Sequence, residues 1–291
     1  MSALRLRSSA WVLFSVAAWT GVALTAVSFA GKRPLKRLLY DPHAPVVDLF
    51  DGIERGTLEA VLIPKNSLEG SVLVDNNSDK PVTVALPNAV AAVQVLKQGF
   101  GGGAGAGGRG AAAGGQGQAL GGGLGGGGGG FGGGGGGGGF GGGVGGGGFG
   151  GGGGGGFFTV PPAKTARIAF TSVCLSHGKP EPRPQMRYKL VKLETYTTNV
   201  ALQELLIRVG AGEVDPQAAQ AAAWHLSDRM SWEALAAKEI DRLGGVENDP
   251  YFSAAQLSKA RELVAQAESQ ARRRQAEDAL SGTGKIKALP E

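Results

Sequence analysis

The chain has 291 residues, 54 of them glycine, and 42 of these glycines fall within the 58 residues from Gly99 to Gly156. That block has no Gly-X-Y period and no proline, which excludes collagen, and it carries too few side chains for one core to run through the whole chain. The net charge is +5, but residues 1–45 hold six Lys/Arg and one Asp, so the remainder is balanced and a generally basic nucleic-acid surface is excluded.

Arg5 and Arg7 precede an uncharged run of 21 residues, Ala10 to Ala30. Ser28-Phe29-Ala30 before Gly31 fits a secretory cleavage site. The run is also long enough to cross a bilayer, which takes about 20 residues. Lys32, Arg33, Lys36 and Arg37 follow it, where positive charge resists translocation. A cleaved signal peptide over residues 1–30 is the favoured reading, and an uncleaved single-pass anchor is the alternative. The basic, proline-punctuated residues 31–45 read as a linker. The single cysteine, Cys174, leaves no intrachain disulfide, so any core is held by packing.

Val47 to Arg55 reads as a short helix, with Val47, Phe50 and Ile53 at every third position and Gly56 to end it. The period then falls to two. Leu58 to Ile63, Ser71 to Val74, Val82 to Leu86 and Val90 to Leu96 read as strands. The turn-rich Asn76 to Pro81 predicts a hairpin joining 71–74 to 82–86. Residues 99–156 read as a disordered Gly-rich tract of low complexity. Beyond it, Thr165 to Leu175 is a strand with Ile168, Phe170, Ser172 and Cys174 on one face. Ala169, Thr171, Val173 and Leu175 lie on the other. Three prolines in Gly178 to Pro184 exclude a helix or a central strand. Met186 to Leu193 alternates again, with Tyr188, Leu190 and Leu193 inward.

Residues 46–98 and 157–197 are therefore read as two parts of one small antiparallel β domain, a sandwich, with the tract as a long loop. Closing such a loop costs only about 2 kcal/mol more than closing a short one. Two separate domains joined by a linker are the alternative. Helices follow over residues 198–280, which makes the fold class α+β with a C-terminal helical domain. Val200 to Val209 is stopped by Gly210. Asp215-Pro216 opens a second helix carrying Ala219, Ala222, Ala223, Leu226 and Met230. Ser231 caps a third, with Trp232, Leu235, Ala236, Ile240 and Leu243 before Gly244-Gly245. Ser253 and Gln256 form a capping box for a last helix to about Leu280, and residues 281–291 read as a frayed tail.

Few residues point to chemistry. Cys174 and His177 have Cys-x-x-His spacing, but zinc takes four ligands, or three and water, and neither His43 nor His225 stands at ligand spacing. A half-buried thiol with His177 in the following turn is expected, and nothing orients the pair as nucleophile and base. Gly-x-Gly-x-x-Gly recurs in the tract as it does in any polyglycine, without the strand and helix a dinucleotide site needs. Gly282-Thr283-Gly284-Lys285 lacks the first glycine of a phosphate-binding loop. Trp224 and Trp232 flank a short connection that reads as an αα-hairpin. Its second helix sets Lys238 and Arg242 against Glu233, Glu239 and Asp241, the wrong balance for a DNA groove. Arg272-Arg273-Arg274, with Glu268, Glu277 and Asp278, reads as a solvated helix face. Phe131, Phe140, Phe149 and Phe158 stand nine residues apart. In an extended threefold helix they would share one face and dock the tract on its own domain or a partner. An unstructured tract with scattered aromatics is the simpler reading. No catalytic, cofactor-binding or metal-binding residue is assigned.

Several segments together resemble a family of uncharacterised Gly-rich exported bacterial proteins of planctomycete type, over about residues 46–250. They are Asn76 to Val84, the Gly/Phe tract, Phe157 to Pro162, Val173 to Pro184, Ala221 to Leu226 and Met230 to Ala236. The resemblance implies export and a β domain followed by helices. It carries over no activity and no catalytic residue.

The expected role is that of an exported or membrane-anchored, non-enzymatic structural or interaction protein of the cell envelope. An envelope protein or polymer is the expected partner, with no nucleic acid, no cofactor, and membrane contact through residues 10–30. Its place is the periplasm, the cell surface or the exterior. One rival is an envelope enzyme accessory or hydrolase whose site is assembled from distant residues. The other is an inward-facing membrane protein in regulation.

Overall fold

The computed structural model describes residues 33–95, 117–125, 156–242 and 248–284. Residues 10–30 and Phe131, Phe140 and Phe149 lie outside the described residues. From Arg33 onward the chain forms one compact unit. Its first half is β1 (Val46–Asp48), α1 (Leu49–Glu54), β2 (Leu58–Pro64), β3 (Glu69–Asn76), β4 (Val82–Ala85), β5 (Val90–Gln94), β6 (Ala119–Leu124), β7 (Phe157–Val160), β8 (Thr165–Cys174) and β9 (Tyr188–Lys192). Its second half is α2 (Leu193–Tyr196), α3 (Val200–Ala211), α4 (Pro216–Ser227), α5 (Trp232–Ala236), β10 (Glu239–Ile240), β11 (Asp249–Pro250) and α6 (Ala254–Gly284).

Six of the strands close into a barrel in the order β2-β3-β8-β6-β5-β9, every neighbouring pair antiparallel. The expected sandwich is therefore corrected to a closed barrel, and the reason lies in the glycine tract. Residues 119–124, Ala-Leu-Gly-Gly-Gly-Leu, form β6, which bridges β5 and β8. Without β6 the other strands would leave a gap between those two. So the tract is not uniformly a disordered loop, because this part of it is a fully buried strand. Leu120 and Leu124 point into the barrel core while Ala119 and Gly121 face the helices.

The hairpin expected around Asn76 to Pro81 is also corrected. β3 pairs with β2 and β8, whereas β4 pairs with β1 in parallel and with β7 in antiparallel. The turn residues do turn the chain, but from the barrel into a second, three-stranded sheet of order β1-β4-β7. Asn76 holds that corner. Its Nδ2 donates to the carbonyls of Lys80 and Val160, both at 2.8 Å, and its Oδ1 accepts from the Ser78 backbone at 2.9 Å. The hairpin that does form joins β2 to β3.

The barrel is filled rather than hollow. Leu58, Leu62, Val72, Val74, Ile168 and Phe170 pack with Val82, Val84, Phe158 and Val160 from the smaller sheet. Phe158 is thus a core residue of β7. A second core lies outside the barrel wall. There Val173 and Leu175, on the opposite face of the β8 segment, meet Leu205 and Leu206 of α3 and Ala218 and Ala222 of α4. α6 lies across α3 and α4 with Leu257, Ala260, Val264, Ala267 and Ala271 buried.

Asp215, Ser231 and Ser253 cap helices as expected, and Asn199 caps α3 as well. Asn199 accepts from Leu202 N–H at 3.2 Å, Asp215 from Ala218 N–H at 2.9 Å with Pro216 at the first position, and Ser231 from Ala234 N–H at 3.1 Å. Ser253 and Gln256 exchange backbone-to-side-chain bonds of 2.8 and 3.2 Å, completing the capping box. Gly210 does not stop α3. The helix ends at Gly212, whose φ of +73° is left-handed, while Gly210 lies inside it against Gly123 of β6. The third expected helix stops at Ala236 instead of running to Leu243, and the short β10–β11 ladder follows. Among the described residues no helix is long and apolar enough to cross a membrane.

Candidate functional site

A buried polar cluster lies where β8 ends. Cys174 is its last residue and is buried. Its thiol approaches the Ser176 carbonyl at 3.4 Å and Gln118 Nε2 at 3.6 Å. Gln118, buried just before β6, donates through Nε2 to the Pro180 carbonyl and accepts from the Tyr188 hydroxyl at Oε1, both at 2.7 Å. From the other side Gln220 of α4 pairs with the Cys174 backbone. Its Oε1 accepts the N–H and its Nε2 donates to the C=O, both at 2.8 Å. A side-chain amide thereby takes the place of a neighbouring strand.

Burial pushes the Cys174 thiol above its ordinary value, outweighing the bonds from Ser176 and Gln118 that lower it. The thiolate is the reactive form, so this cysteine is built to be inert. Labelling of the folded chain by a thiol reagent at pH 8 is expected to be at least about a hundredfold slower than in denaturant. A rate within a few-fold of the denatured one, followed by absorbance, would show the cluster to be open.

His177 takes different partners. Its N–H donates to Asp228 Oδ2 at 3.3 Å and its ring stands edge-on to Trp224 at 4.9 Å. Trp224 also packs against Tyr251 and Phe252, and Lys238 Nζ lies over the rings of Trp224 and Tyr251 at 5.5 and 4.9 Å. His177 Nε2 and Trp224 Nε1 are buried without a hydrogen-bond partner among the described residues. Burial, then the Lys238 ammonium, lowers the His177 imidazole, with Asp228 opposing. Its stabilising contribution is therefore present above its ordinary value of 6.5 and is lost as the pH falls below it.

Tyr188 titrates in the opposite direction. Burial first, then the Cys174 and Glu181 charges, raise its hydroxyl from 10.0 to about 12, and Tyr196 is likewise raised to about 12. A raised acid is stabilising below its unfolded value and loses that contribution as the pH climbs to the folded one. The contribution of these two tyrosines is expected to be full up to about pH 10 and to be lost between about 10 and 12, beyond the loss that begins above pH 9 as the raised Cys174 thiol titrates. Tyr188→Phe should make that alkaline loss shallower, as read by denaturant unfolding at stepped pH. An unchanged slope would remove Tyr188 from the account.

One open cleft of about 400 Å³ lies elsewhere, lined by Asp48, Asp51, Asn88, Lys192, Glu194 and Arg274 among others. Its cations are already engaged. Lys192 Nζ lies 3.4 Å from Glu54 and 3.9 Å from Asp51, and Arg274 lies 3.2 Å from Glu204. Arg272 reaches Glu268 at 3.9 Å, on an exposed face. Trp232 stacks on His225 at 4.3 Å, with the Arg261 guanidinium 5.3 Å from its ring centre. Trp224 and Trp232 thus pack on separate partners, and α5 has only five residues. Among the described residues no group of three or more His, Cys, Asp and Glu side chains converges as a metal site would require.

Gln118 and Gln220 are the two residues of the cluster that the sequence does not announce. Gln118 lies inside the low-complexity tract and Gln220 inside an alanine-rich helix. The available signal is modest: Gln116, Gln118, Leu120 and Leu124 alternate where the tract is otherwise glycine and alanine. Comparison with protein-family models, with curated proteins and with solved structures finds no match for this chain.

Proposed function

We propose that this protein is exported or membrane-anchored and acts as a non-catalytic structural or interaction component of the cell envelope. The observation that carries the reading is the filled barrel. Its interior is occupied by its own side chains, and the polar groups at its end bond mainly to one another. Such a body presents surfaces rather than a reaction chamber. The uncharged residues 10–30 after Arg5 and Arg7, and the resemblance to exported planctomycete-type proteins, support its destination.

Cell fractionation with N-terminal sequencing tests this. The mature chain is expected in the envelope or exported fraction beginning at Gly31, or in the membrane fraction with Met1 intact. A cytoplasmic chain would overturn the reading. The mixed-charge cleft favours a second reading, that of an accessory to an envelope hydrolase. Under that reading short peptides or oligosaccharides would raise the melting temperature of the parent chain but not of Lys192→Ala.

A further inference from the structure

Residues 33–41 form a strap pinned to the folded unit. Leu35 N–H donates to the Thr165 carbonyl at 2.9 Å, and Thr159 N–H donates to the Leu39 carbonyl at 2.7 Å. Asp41 N–H donates to Thr159 Oγ1 at 2.8 Å, and the Thr83 hydroxyl donates to the Asp41 carbonyl at 3.1 Å. The strap holds Arg33, Lys36 and Arg37 exposed, and they form no ion pair with the described residues. Exposed Lys164 directly precedes Thr165, to which the strap is bonded. The acids nearby are few: Asp75 is buried and accepts from the Thr165 hydroxyl, Asp41 is half-buried, Asp48 caps α1, and Asp79 is exposed in the turn before β4.

Four exposed apolar side chains gather on the same face. Leu39 is 64% exposed, Tyr40 57%, Val46 56% and Phe157 49%. Val46 is paired with Thr83, Thr83 with Thr159, and Thr159 with Leu39, so Val46 and Leu39 stand at the two ends of one row across the β1-β4-β7 sheet, whose middle residues Thr83 and Thr159 are buried against Asp41 of the strap. The Tyr40 and Phe157 rings meet edge-on at 6.4 Å. The uncharged run ends at Ala30, and the nine residues from there to Leu39 reach at most about 30 Å.

We propose that the outer face of the β1-β4-β7 sheet, with the strap along it, rests on an anionic phospholipid surface. Cations beside tyrosine, phenylalanine and leucine match the chemistry of the headgroup zone, where rings and aliphatic tips enter and Lys/Arg meet phosphate. The proposal extends the envelope reading above by naming the surface that the folded unit contacts.

The test uses the full chain with vesicles of phosphatidylcholine alone or with about a third phosphatidylglycerol. A fluorophore is placed at Phe157→Cys, and in a control at Lys189→Cys on β9, across the barrel from β8. Brominated lipid is expected to quench the probe at 157 in the anionic vesicles and to leave the control bright. Reversing Arg33, Lys36 and Arg37 to Glu should weaken the contact by about a hundredfold or more, at about fivefold per basic residue. Flotation reports separately on residues 10–30. A chain that floats only with anionic vesicles supports the face while removing the anchor. A chain that floats but shows no quenching at 157 overturns the face and leaves the anchor standing. Equal quenching in neutral vesicles, no effect of charge reversal, no flotation in either lipid, or shielding of 157 by protein without lipid would each overturn the proposal.

Discussion

Gly123→Ala and Gly122→Ala are each expected to lower the melting temperature by about 6–12 °C, a loss of about 3 kcal/mol. A Cβ at Gly123 would stand 2.3 Å from Gly210 Cα, and one at Gly122 would stand 1.9 Å from the Thr171 carbonyl oxygen. Both obstacles are backbone, so neither can rotate away. Accommodation would require α3 to lift from β6, or β6 to part from β8, uncovering a buried wall of the barrel. Gly121→Ala is the internal comparison. Its Cβ would meet Leu206 Cδ1 at 2.6 Å and Leu175 Cδ1 at 2.8 Å, which are the ends of flexible side chains. About 1 kcal/mol is expected there. Thermal unfolding by circular dichroism reads all three. If Gly123→Ala melted within a degree or two of the parent, α3 would not be seated on β6.

Gln220→Ala should cost about 2–4 kcal/mol, because it strips partners from the buried N–H and C=O of Cys174 at once. Gln220→Met, which keeps most of the volume, should lose nearly as much, showing that hydrogen bonding rather than packing is responsible. Gln220→Glu sharpens the point. Its carboxylate still accepts from Cys174 N–H but cannot donate to the carbonyl, and it buries a charge. Lowering the pH to protonate it restores a donor, so this variant alone should regain stability in mild acid. Amide exchange at Cys174 supplies a local readout and should accelerate in the Ala and Met variants, which remove the acceptor of its N–H. Unchanged exchange would remove the glutamine from its role as a surrogate strand.

Much of the architecture is legible locally. β8 alternates as its sequence does: Ala166, Ile168 and Phe170 are buried while Arg167 and Ala169 are exposed, and both faces are covered only near its end, where Val173 and then Leu175 meet the helices. Asn199, Asp215, Ser231 and Ser253 begin helices where their side chains can take the free N–H groups. Cys174 and His177 proved to be a buried thiol and a turn residue with separate partners. What misled was the assumption that turn residues between two strands join those strands. Asn76 spends its amide on Lys80 and Val160, and so directs the chain into another sheet.

The glycine tract marks the limit of local reading. A strand is recognised by the alternation of its side chains, and residues 121–123 have none to alternate. Their strand identity comes from outside: β5 and β8 supply hydrogen-bonding edges, and Gly210 requires a neighbour without a Cβ. Gln118 and Gln220 are likewise defined by partners 70 and 46 positions away, Tyr188 and Cys174. The sequence by itself determined the charge asymmetry, the uncharged leading segment, the helix caps and the inward faces of most strands, since each depends on residues within a few positions of one another. Barrel closure, the glycine strand, the amide that stands in for a strand and the cationic strap beside exposed aromatics were decided only by the tertiary structure. They arise where distant segments meet, and the energy of such meetings is not written in either segment alone.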